Sequence, residues 1–331
     1  MKIKNCVRLL TVISMAFFYS GCMSIDLASL MRDKLQEVTV IDREGKGAYG
    51  KVLLVNISGI IAQNREDGAF GSSSVCSPDY IKAVLNKARK DGDIKGVILR
   101  IDSPGGEVTA SDIIAHEIKK YSDEMKIPVY SVAMSMNCSG AYYISCSGSR
   151  LYAHPTSIMG SIGVIASFPQ LIKLADKVGV EMAVIKSGAM KDMGSIVRNM
   201  TPEERAVIQS IVDDSYDKFL NIVLSARKTI KSKDDLKVLA DGRVYTAEQS
   251  LKSGLIDKIG YLEDVVGDMK HHAGIGKLTM ITYTYRDSDD ANIYSASTKM
   301  KIPAVGAINL SVPLPYLMAH PGFYYIWQPG W

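Results

Sequence analysis

The chain has 331 residues, of which 47% are apolar and 22% are charged, a composition typical of a globular protein with one large core. Its net charge of +4 is misleading, because Lys2, Lys4 and Arg8 lie in the first 21 residues, where no acid occurs. The other 36 basic residues are balanced by 35 acidic ones. Nothing in this near-neutral balance suggests a nucleic-acid partner, and we expect none.

The N-terminus has the pattern of a bacterial export signal, residues 1–21. A basic stretch precedes an apolar run at 9–18, and Ser20, Gly21 and Cys22 follow it. We therefore expect cleavage before Cys22 and lipidation of that cysteine, although Tyr19 departs from the usual aliphatic residue. An uncleaved signal anchor is the alternative. Both readings place the body in the cell envelope, membrane-anchored and on the extracytoplasmic side.

The five cysteines form neither a disulfide framework nor a metal-ligand pattern. Cys6 lies in the signal and Cys22 is the candidate acyl site, which leaves Cys76, Cys138 and Cys146. These three are an odd number at no metal-ligand spacing. We expect neither a metal nor another cofactor.

The elements that follow predict an α/β fold. Residues 22–50 are interpreted as a membrane-proximal connector, helical around 27–38 and then loose. The body then alternates strand-like and helix-like segments, with strands at 52–57, 96–101, 127–134 and 182–185 and helices at 77–91 and 108–120. This alternation predicts a mostly parallel sheet with flanking helices.

The C-terminal half contains a long predicted helix and then an irregular tail. Thr201 caps the helix at 201–228, and Pro202 takes its first position. Five of the eleven prolines and both tryptophans fall after Ile302. Because proline interrupts helices, residues 277–331 are predicted to be an irregular tail that could bind in a groove, cover a neighbouring subunit or touch the membrane.

Ser139 is the most informative residue of the chain. It lies between the predicted strand at 127–134 and a helix-compatible stretch at 141–145. A hydroxyl there sits at a helix N-terminus, where unpaired N–H groups favour developing negative charge. Gly140 allows a sharp turn and can offer its own N–H to an oxyanion. The competing interpretation is an ordinary N-cap serine.

Two further segments lead to the same edge of the predicted sheet. The strand at 96–101 runs into Asp-Ser-Pro-Gly-Gly at 102–106, whose last glycine can present a second N–H. An ordinary Pro-Gly turn is the alternative. The strand at 182–185 leads into Lys-Ser-Gly-Ala-Met-Lys-Asp at 186–192, where a lone lysine would ordinarily be a solvated charge.

Together these segments resemble the signal peptide peptidase A family of serine–lysine peptidases, relatives of the ClpP-like and crotonase folds. The resemblance covers residues 51–276, the predicted peptidase domain. Its landmarks occur in family order at 102–106, 138–143, 160–164, 186–192, 200–205 and 241–245 with 254–257. One departure is Ala141, where the family usually carries a second glycine after the serine.

The resemblance implies a role for each matched residue. Ser139 would be the nucleophile, Lys191 the general base, and Ser161 the residue that orients the lysine amine. Gly106 and Gly140 would supply the oxyanion N–H donors. A lysine of pKa ~10.4 is neutral only about 0.04% of the time at pH 7, so the base has to be desolvated or crowded by positive charge.

The resemblance also implies a function, namely a membrane-associated serine endopeptidase that degrades remnant signal peptides and other hydrophobic peptides through an acyl-enzyme. It implies a homo-oligomeric ring or dome, in which Ser139 and Lys191 could meet across a subunit boundary. Signal peptides are mostly Leu, Ala and Val, so an apolar S1 pocket is expected.

Three alternatives stay open at this stage. A crotonase-type acyl-CoA enzyme would use paired N–H groups on a thioester carbonyl, but an export signal separates the protein from coenzyme A. A non-catalytic scaffold of the same fold would not need Ser139, Lys191 and Ser161 together. Cys138 could replace its neighbour as nucleophile, although no histidine lies nearby in sequence.

Overall fold

The structure is a computed structural model that describes residues 35–63, 75–285, 293–294 and 322–327. The predicted export signal and Cys22 lie outside the described residues. Within the described part of the chain, no helix is both long and apolar enough to span a bilayer.

The elements follow one another in the predicted alternation. The strands are β1 (Gln36–Gly45), β2 (Tyr49–Ser58), β3 (Ile60–Ile61), β4 (Val75–Cys76), β5 (Ile94–Ser103), β6 (Gly105–Glu107), β7 (Val129–Cys138), β8 (Arg150–Ala153), β9 (Ile158–Gly160), β10 (Ile165–Ser167), β11 (Val244–Thr246), β12 (Lys258–Ile259), β13 (Lys277–Thr284) and β14 (Gly322–Ile326). The helices are α1 (Pro78–Ala88), α2 (Val108–Met125), α3 (Gly140–Ser145), α4 (Ile172–Val178), α5 (Pro202–Ala226), α6 (Lys233–Leu239), α7 (Ala247–Lys252) and α8 (Leu262–His272).

The main sheet is mostly parallel, as predicted. Its order is β1-β13-β2-β5-β7-β8-β12, with β9 beside β7 and β11 beside β9. All neighbouring strands along the order β13-β2-β5-β7-β8-β12 are parallel, whereas the β1–β13 and β9–β11 pairs are antiparallel. Strands such as β2 read as continuous apolar runs because both faces of a parallel sheet are covered.

Helices cover both faces of the main sheet. Alternate residues of β2 point to opposite sides, so Leu53 and Val55 join one apolar cluster and Val52 and Leu54 join another. Helices α1, α2, α3 and α5 contribute to the first cluster, and α8 contributes to the second. The α/β fold class is therefore confirmed.

A second, small sheet lies next to the ends of β5 and β7. Its order is β10-β14-β6-β3-β4. Strand β14 is antiparallel to both β10 and β6, whereas β6, β3 and β4 are parallel to one another. This sheet brings a strand from near the C-terminus beside the glycines at 105–106.

The long predicted helix is confirmed as α5. The Thr201 hydroxyl accepts a hydrogen bond from the Glu204 amide, and the Glu204 carboxylate accepts one from the Thr201 amide. This reciprocal pair satisfies two donors at the helix start, and Pro202 occupies the first turn.

Three local predictions are wrong. Residues 36–45, expected to end a helix and continue as a loose connector, form β1. Residues 277–284 and 322–326, both grouped with the irregular tail, form β13 and β14. Each is an edge or near-edge strand whose partner lies far away in sequence. Residues 182–185, expected to be a strand, have no regular structure and are exposed.

Candidate active site

Ser139 occupies a sharp strand-to-helix turn with a strained backbone. It joins β7 to α3, with φ of 54° and ψ of −117°. Its amide donates to the Gly160 carbonyl at 2.7 Å, and its carbonyl accepts from the Tyr143 amide at 2.9 Å. A non-glycine residue at positive φ costs free energy and persists only where its surroundings fix it, which is common at functional sites.

The serine is not an ordinary helix cap. Within the described structure its hydroxyl makes no capping hydrogen bond to α3, although it stands at the N-cap position. The residue is buried, with 1% of its surface exposed. The ordinary-cap interpretation of Ser139 is therefore wrong, and the hydroxyl is available for another role.

Three glycines converge beside Ser139 because no side chain would fit there. A Cβ on Gly106 would lie 1.9 Å from the Ile61 carbonyl oxygen, and one on Gly140 would lie 2.3 Å from Ser111 Oγ. The same Gly140 position is 3.3 Å from the Gly106 amide nitrogen. The structure thus brings together the two predicted oxyanion donors. Gly105, with φ of 99°, was missed as a member of this group.

Ser161 follows a strand that pairs with the end of β7. Cys138 is in register with Gly160, so Ser139 and Ser161 come directly after paired residues. Ser161 is 7% exposed, has a φ of 49°, and donates its amide to the Arg243 carbonyl at 2.8 Å. The predicted base-orienting residue therefore lies next to the predicted nucleophile in the parallel register.

A buried polar pair that was not predicted from the sequence fixes the turn. Asn137 Nδ2 donates to Ser145 Oγ at 2.7 Å, and Ser145 Oγ is 3.0 Å from Asn137 Oδ1. Ser145 Oγ also lies 3.0 Å from the Ala141 carbonyl oxygen. These contacts join the end of β7 to the end of α3. The sequence signal was that each of these two polar residues has apolar neighbours on both sides in the sequence.

Lys191 lies on a segment that projects into solvent. It belongs to a 3-10 turn, Ala189–Asp192, that has no buried residue, and the preceding helix α4 has none either. Among the described residues, its ammonium has no hydrogen-bond or ion-pair partner. The structure therefore does not place Lys191 in contact with Ser139 of the same chain.

An ion network fixes the C-terminal end of that projecting segment. Arg198 contacts Asp192 at 2.6 Å and also pairs with Glu204 at the start of α5. Lys186 contacts the same aspartate at 2.5 Å. The Arg198 guanidinium holds the pKa of the Asp192 carboxyl well below its ordinary value. Because Lys186 is engaged in this way, Lys191 is the lysine of 186–192 that is left for other contacts.

The neighbouring thiol is a poor alternative nucleophile. Burial raises the pKa of Cys138 to about 12, which keeps the thiol protonated. Its Sγ faces the Ile158 carbonyl at 3.7 Å. Elsewhere in the described structure, no group of three His, Cys, Asp or Glu side chains is placed to hold a metal ion.

A cavity of about 530 Å³ opens beside Ser161. Its walls include Val164, Asp213 and Tyr216, together with Ile326 and Trp327 from near the C-terminus. Strand β14 thus borders the candidate site. A groove was one of three places predicted for the tail, beside a neighbouring subunit and the membrane. Its signal was the run Gly-Phe-Tyr-Tyr-Ile at 322–326, rich in strand-forming residues.

The geometry suits acyl transfer. A buried hydroxyl next to two backbone amides can attack a carbonyl carbon while the amides stabilise the oxygen that becomes negative. Such a centre also needs a group that removes the serine proton, and the candidate for it, Lys191, is the one predicted residue that the chain does not bring to the site.

Comparisons with known proteins agree with this chemistry. The description "Peptidase family S49" matches residues 122–276. A protein named signal peptide peptidase SppA from Enterococcus faecium is 35% identical over 75% of this chain and 71% of its own length. Protease 4 of Haemophilus influenzae is 31% identical over 65% of this chain, which corresponds to 34% of that longer protein.

Among solved structures, a mutant of a membrane-bound stomatin-specific protease is similar, with 17% identity and a TM-score of 0.40. The matched region covers 67% of this chain and 85% of that one. The level of identity to the Enterococcus protein, its coverage of both chains and the matched family description together establish that the chain is a protease of peptidase family S49, similar to SppA.

Proposed function

We propose that the chain is a serine endopeptidase in which Ser139 is the nucleophile and Lys191 is the general base. The observation that carries the proposal is the strained, buried Ser139 at the point where Gly106 and Gly140 converge. This is the strand–turn–helix setting in which other hydrolases hold a nucleophilic serine above helix N–H groups.

The reaction proceeds in two acyl-transfer steps. Neutral Lys191 takes the Ser139 proton as Oγ attacks the substrate carbonyl, and the Gly106 and Gly140 amides hold the oxyanion. The lysine then gives its proton to the departing amine, and the peptide C–N bond breaks. Water then gives a proton to the same lysine as it attacks the acyl carbon, the bond from that carbon to Ser139 Oγ breaks, and the lysine returns the proton to Oγ, which restores the enzyme.

A second copy of the chain would complete the site. The segment that carries Lys191 exposes apolar side chains that a monomer would leave in water, namely Leu174 (55%), Val178 (63%), Met182 (62%) and Ile185 (102%). Apolar surface of this kind marks an interface. Docking it on a neighbouring copy would remove Lys191 from water, the condition that a lysine base requires. We therefore propose a homo-oligomeric ring or dome with the dyad shared between subunits.

The proposed substrates are remnant signal peptides and other hydrophobic peptides. This assignment rests on the SppA name of the Enterococcus relative and on the expected export signal, which would anchor the chain to the membrane through Cys22 or an uncleaved anchor. The active site would then face the extracytoplasmic side, near the bilayer in which apolar peptides partition.

Mixing two inactive variants tests both the dyad and its position between subunits. Ser139→Ala and Lys191→Ala should each lower kcat/KM on a hydrophobic peptide by about 10³-fold or more, because the two groups act as one unit. Ser161→Ala should have a milder effect. When the two inactive variants are co-assembled, roughly a quarter of the sites should regain both groups, because each interface pairs different surfaces of two subunits.

Two outcomes would contradict this proposal. Restored activity requires a shared site, so an inactive mixture of properly co-assembled subunits would place the whole dyad in one chain. Full activity in Lys191→Ala would remove the lysine from the mechanism and direct the search to His154 or His116.

A further inference from the structure

Strands β5 and β7 change their common register just before the active site. Up to Ala133, each paired residue of β7 faces the residue of β5 whose number is lower by 32. The next pair is Ser103 with Asn137, whose numbers differ by 34. Asp102 therefore lies opposite three residues of β7, 134–136, and we call these three residues the β7 bulge.

The two extra residues of the β7 bulge bring the predicted oxyanion donors level with each other. In the later register Gly106 lies opposite Gly140, and its amide nitrogen is 3.3 Å from the position of a Cβ on Gly140. If the earlier register continued, Gly106 would lie opposite Cys138, and Gly140 would be about 6.6 Å further along the sheet. The bulge therefore decides whether the two amides can face one oxygen. Bulges are over-represented next to active sites, where they change the direction of a side chain.

The Asp102 carboxylate fixes the β5 side of the bulge. Its Oδ1 accepts the Met136 amide at 3.0 Å and so supplies the acceptor that a regular ladder would take from a backbone carbonyl. The Ser135 side chain hydrogen-bonds to the same carboxylate, and the Asp102 carbonyl accepts the Gly59 amide at 3.1 Å. Two consecutive residues of the bulge are thus joined to one residue of β5, at the strand end that leads to Gly106.

A buried hydroxyl fixes the opposite side of the bulge. Ser157, of which 1% is exposed, directs its Oγ to the Ala133 carbonyl at 3.1 Å and to the Met134 carbonyl. It directly precedes β9, which pairs with β7 from Met136 onward. These contacts all end before Ser139, so they act on the nucleophile turn through the backbone of β7.

We propose that Asp102 is a positioning residue of the active site, which holds the β7 bulge and thereby keeps the Gly140 amide level with the Gly106 amide. The inference rests on the proposed function, from which it takes the oxyanion donors, and it adds the residue that aligns them. Asp102 acts through the backbone and needs no contact with the substrate. Its effect is large because a donor displaced by about 1 Å no longer meets the oxyanion at hydrogen-bonding distance.

Variants of Asp102 test the alignment. Asp102→Ala should lower kcat on a hydrophobic peptide by about 10- to 100-fold and leave KM within about twofold, because the oxyanion forms only in the transition state. Asp102→Asn should recover most of this loss, since its amide oxygen can still accept from Met136. Ser157→Ala should act in the same direction as Asp102→Ala, which keeps the test available if the alanine variant at 102 does not fold.

Ser232→Ala is the matched control for these variants. The Ser232 hydroxyl accepts the Asp235 amide at 3.0 Å at the exposed start of α6, so the change removes a side chain-to-backbone hydrogen bond of the same length. It should lower stability to a similar extent and leave kcat unchanged. A contact of Asp102 that served only the stability of the sheet would behave like this control.

Hydrogen exchange separates this inference from the proposed catalysis. In the Ser139→Ala background, mass spectrometry should show the amides of 134–140 exchanging about 2- to 10-fold faster after Asp102→Ala, because the Met136 amide loses its acceptor. Asp102→Asn should exchange nearly as slowly as the parent. If Ser139→Ala itself kept full peptidase activity, the proposed function would fall, whereas faster exchange at 134–140 would still show that Asp102 holds the bulge.

Three results would overturn the inference. Unchanged exchange at 134–140 in Asp102→Ala would mean that the carboxylate does not hold the bulge. A kcat that falls no further in Asp102→Ala than in Ser232→Ala would mean that the bulge does not align the donors. Equal losses of kcat in Asp102→Ala and Asp102→Asn would mean that the hydrogen bond to Met136 is not the contact that matters.

Discussion

At the scale of single residues, the main feature is the conformation of Ser139. A φ of 54° with ψ of −117° suits glycine better than serine, and the chain keeps serine there. The amide contact with Gly160 and the Asn137–Ser145 pair hold the turn in place. The strain is therefore compensated by neighbouring contacts, an arrangement common where a side chain has a chemical task.

Ser139→Gly should raise stability while it removes activity. Glycine adopts this backbone conformation without strain, so the free energy of unfolding should rise by about 1 kcal/mol, as measured by chemical denaturation. Ser139→Ala is the matched control, since it removes the hydroxyl but keeps the strain and should leave stability nearly unchanged. A glycine variant less stable than the alanine variant would show that the turn is not strained.

At the scale of elements, an ion pair between a buried arginine and a partly exposed aspartate connects the long helix to the main sheet. Arg227, which caps α5, contacts both carboxylate oxygens of Asp257 at 2.9 and 2.8 Å. The same carboxylate accepts the Leu151 amide at the start of β8. Burial raises the pKa of Asp257, but the hydrogen bonds from Arg227 and Leu151 outweigh this and hold the pKa below its ordinary value.

Asp257→Asn should destabilise the chain in a pH-dependent way. A carboxyl with a depressed pKa stabilises the fold above its unfolded pKa of about 3.9, and this contribution is lost as the pH falls through the folded value. At pH 7 the variant should lose about 2 kcal/mol of unfolding free energy, a value discounted for the partly exposed aspartate.

Denaturation of both proteins at pH 7 and at pH 3 checks this expectation. The deficit of the variant should shrink at the lower pH, because the wild-type carboxyl is becoming protonated there. Asp234→Asn, at an exposed residue of α6, is the control, since it removes a carboxylate that forms only a distant surface pair. A deficit that is the same at both pH values would contradict a role for the ionised pair.

At the scale of the whole molecule, the projecting segment decides whether a single chain contains a complete active site. Helix α4 and the residues up to Lys191 add no side chain to either apolar cluster. The network around Asp192 and Arg198 fixes the C-terminal end of this segment. A segment that is fixed at one end, exposes apolar side chains and packs against neither apolar cluster is suited to contact another subunit.

If the proposed oligomer forms through this segment, Ile185→Asp should dissociate it and remove activity together. Ile185 is fully exposed in the single chain, so the change should not affect its fold, but a charge would be buried unpaired in the interface. Light scattering after size-exclusion chromatography would measure the mass. Val238→Asp, on α6 and 71% exposed, is the matched control. An Ile185→Asp variant that keeps its mass and activity would refute this interface.

The anchor can be tested on the mature N-terminus. If Cys22 is acylated, mass spectrometry should find a lipid-modified cysteine as the first residue, and Cys22→Ser should stay unprocessed. Detection of Met1 on the wild-type protein extracted from membranes would instead establish the uncleaved signal anchor.

The sequence by itself determined the features that depend on local patterns. Continuous apolar runs predicted β2, β5 and β7, and the Thr201–Glu204 pattern predicted the start of α5. Glycine at 106 and 140 and serine at 139 could be assigned to a site because parallel strands end at one edge, where the turns that follow them meet. These are short-range signals, and they are readable without knowledge of distant partners.

Only the tertiary structure decided the features that depend on distant partners. Strands β1 and β13 pair across more than two hundred residues, so neither carries a local turn that would have revealed it. The position of β14 beside Gly106 depends on a groove that forms only when β6 and β10 come together. The exposed position of Lys191 could likewise not be read from the sequence, because a polar loop has no periodic pattern that indicates which surface it will contact.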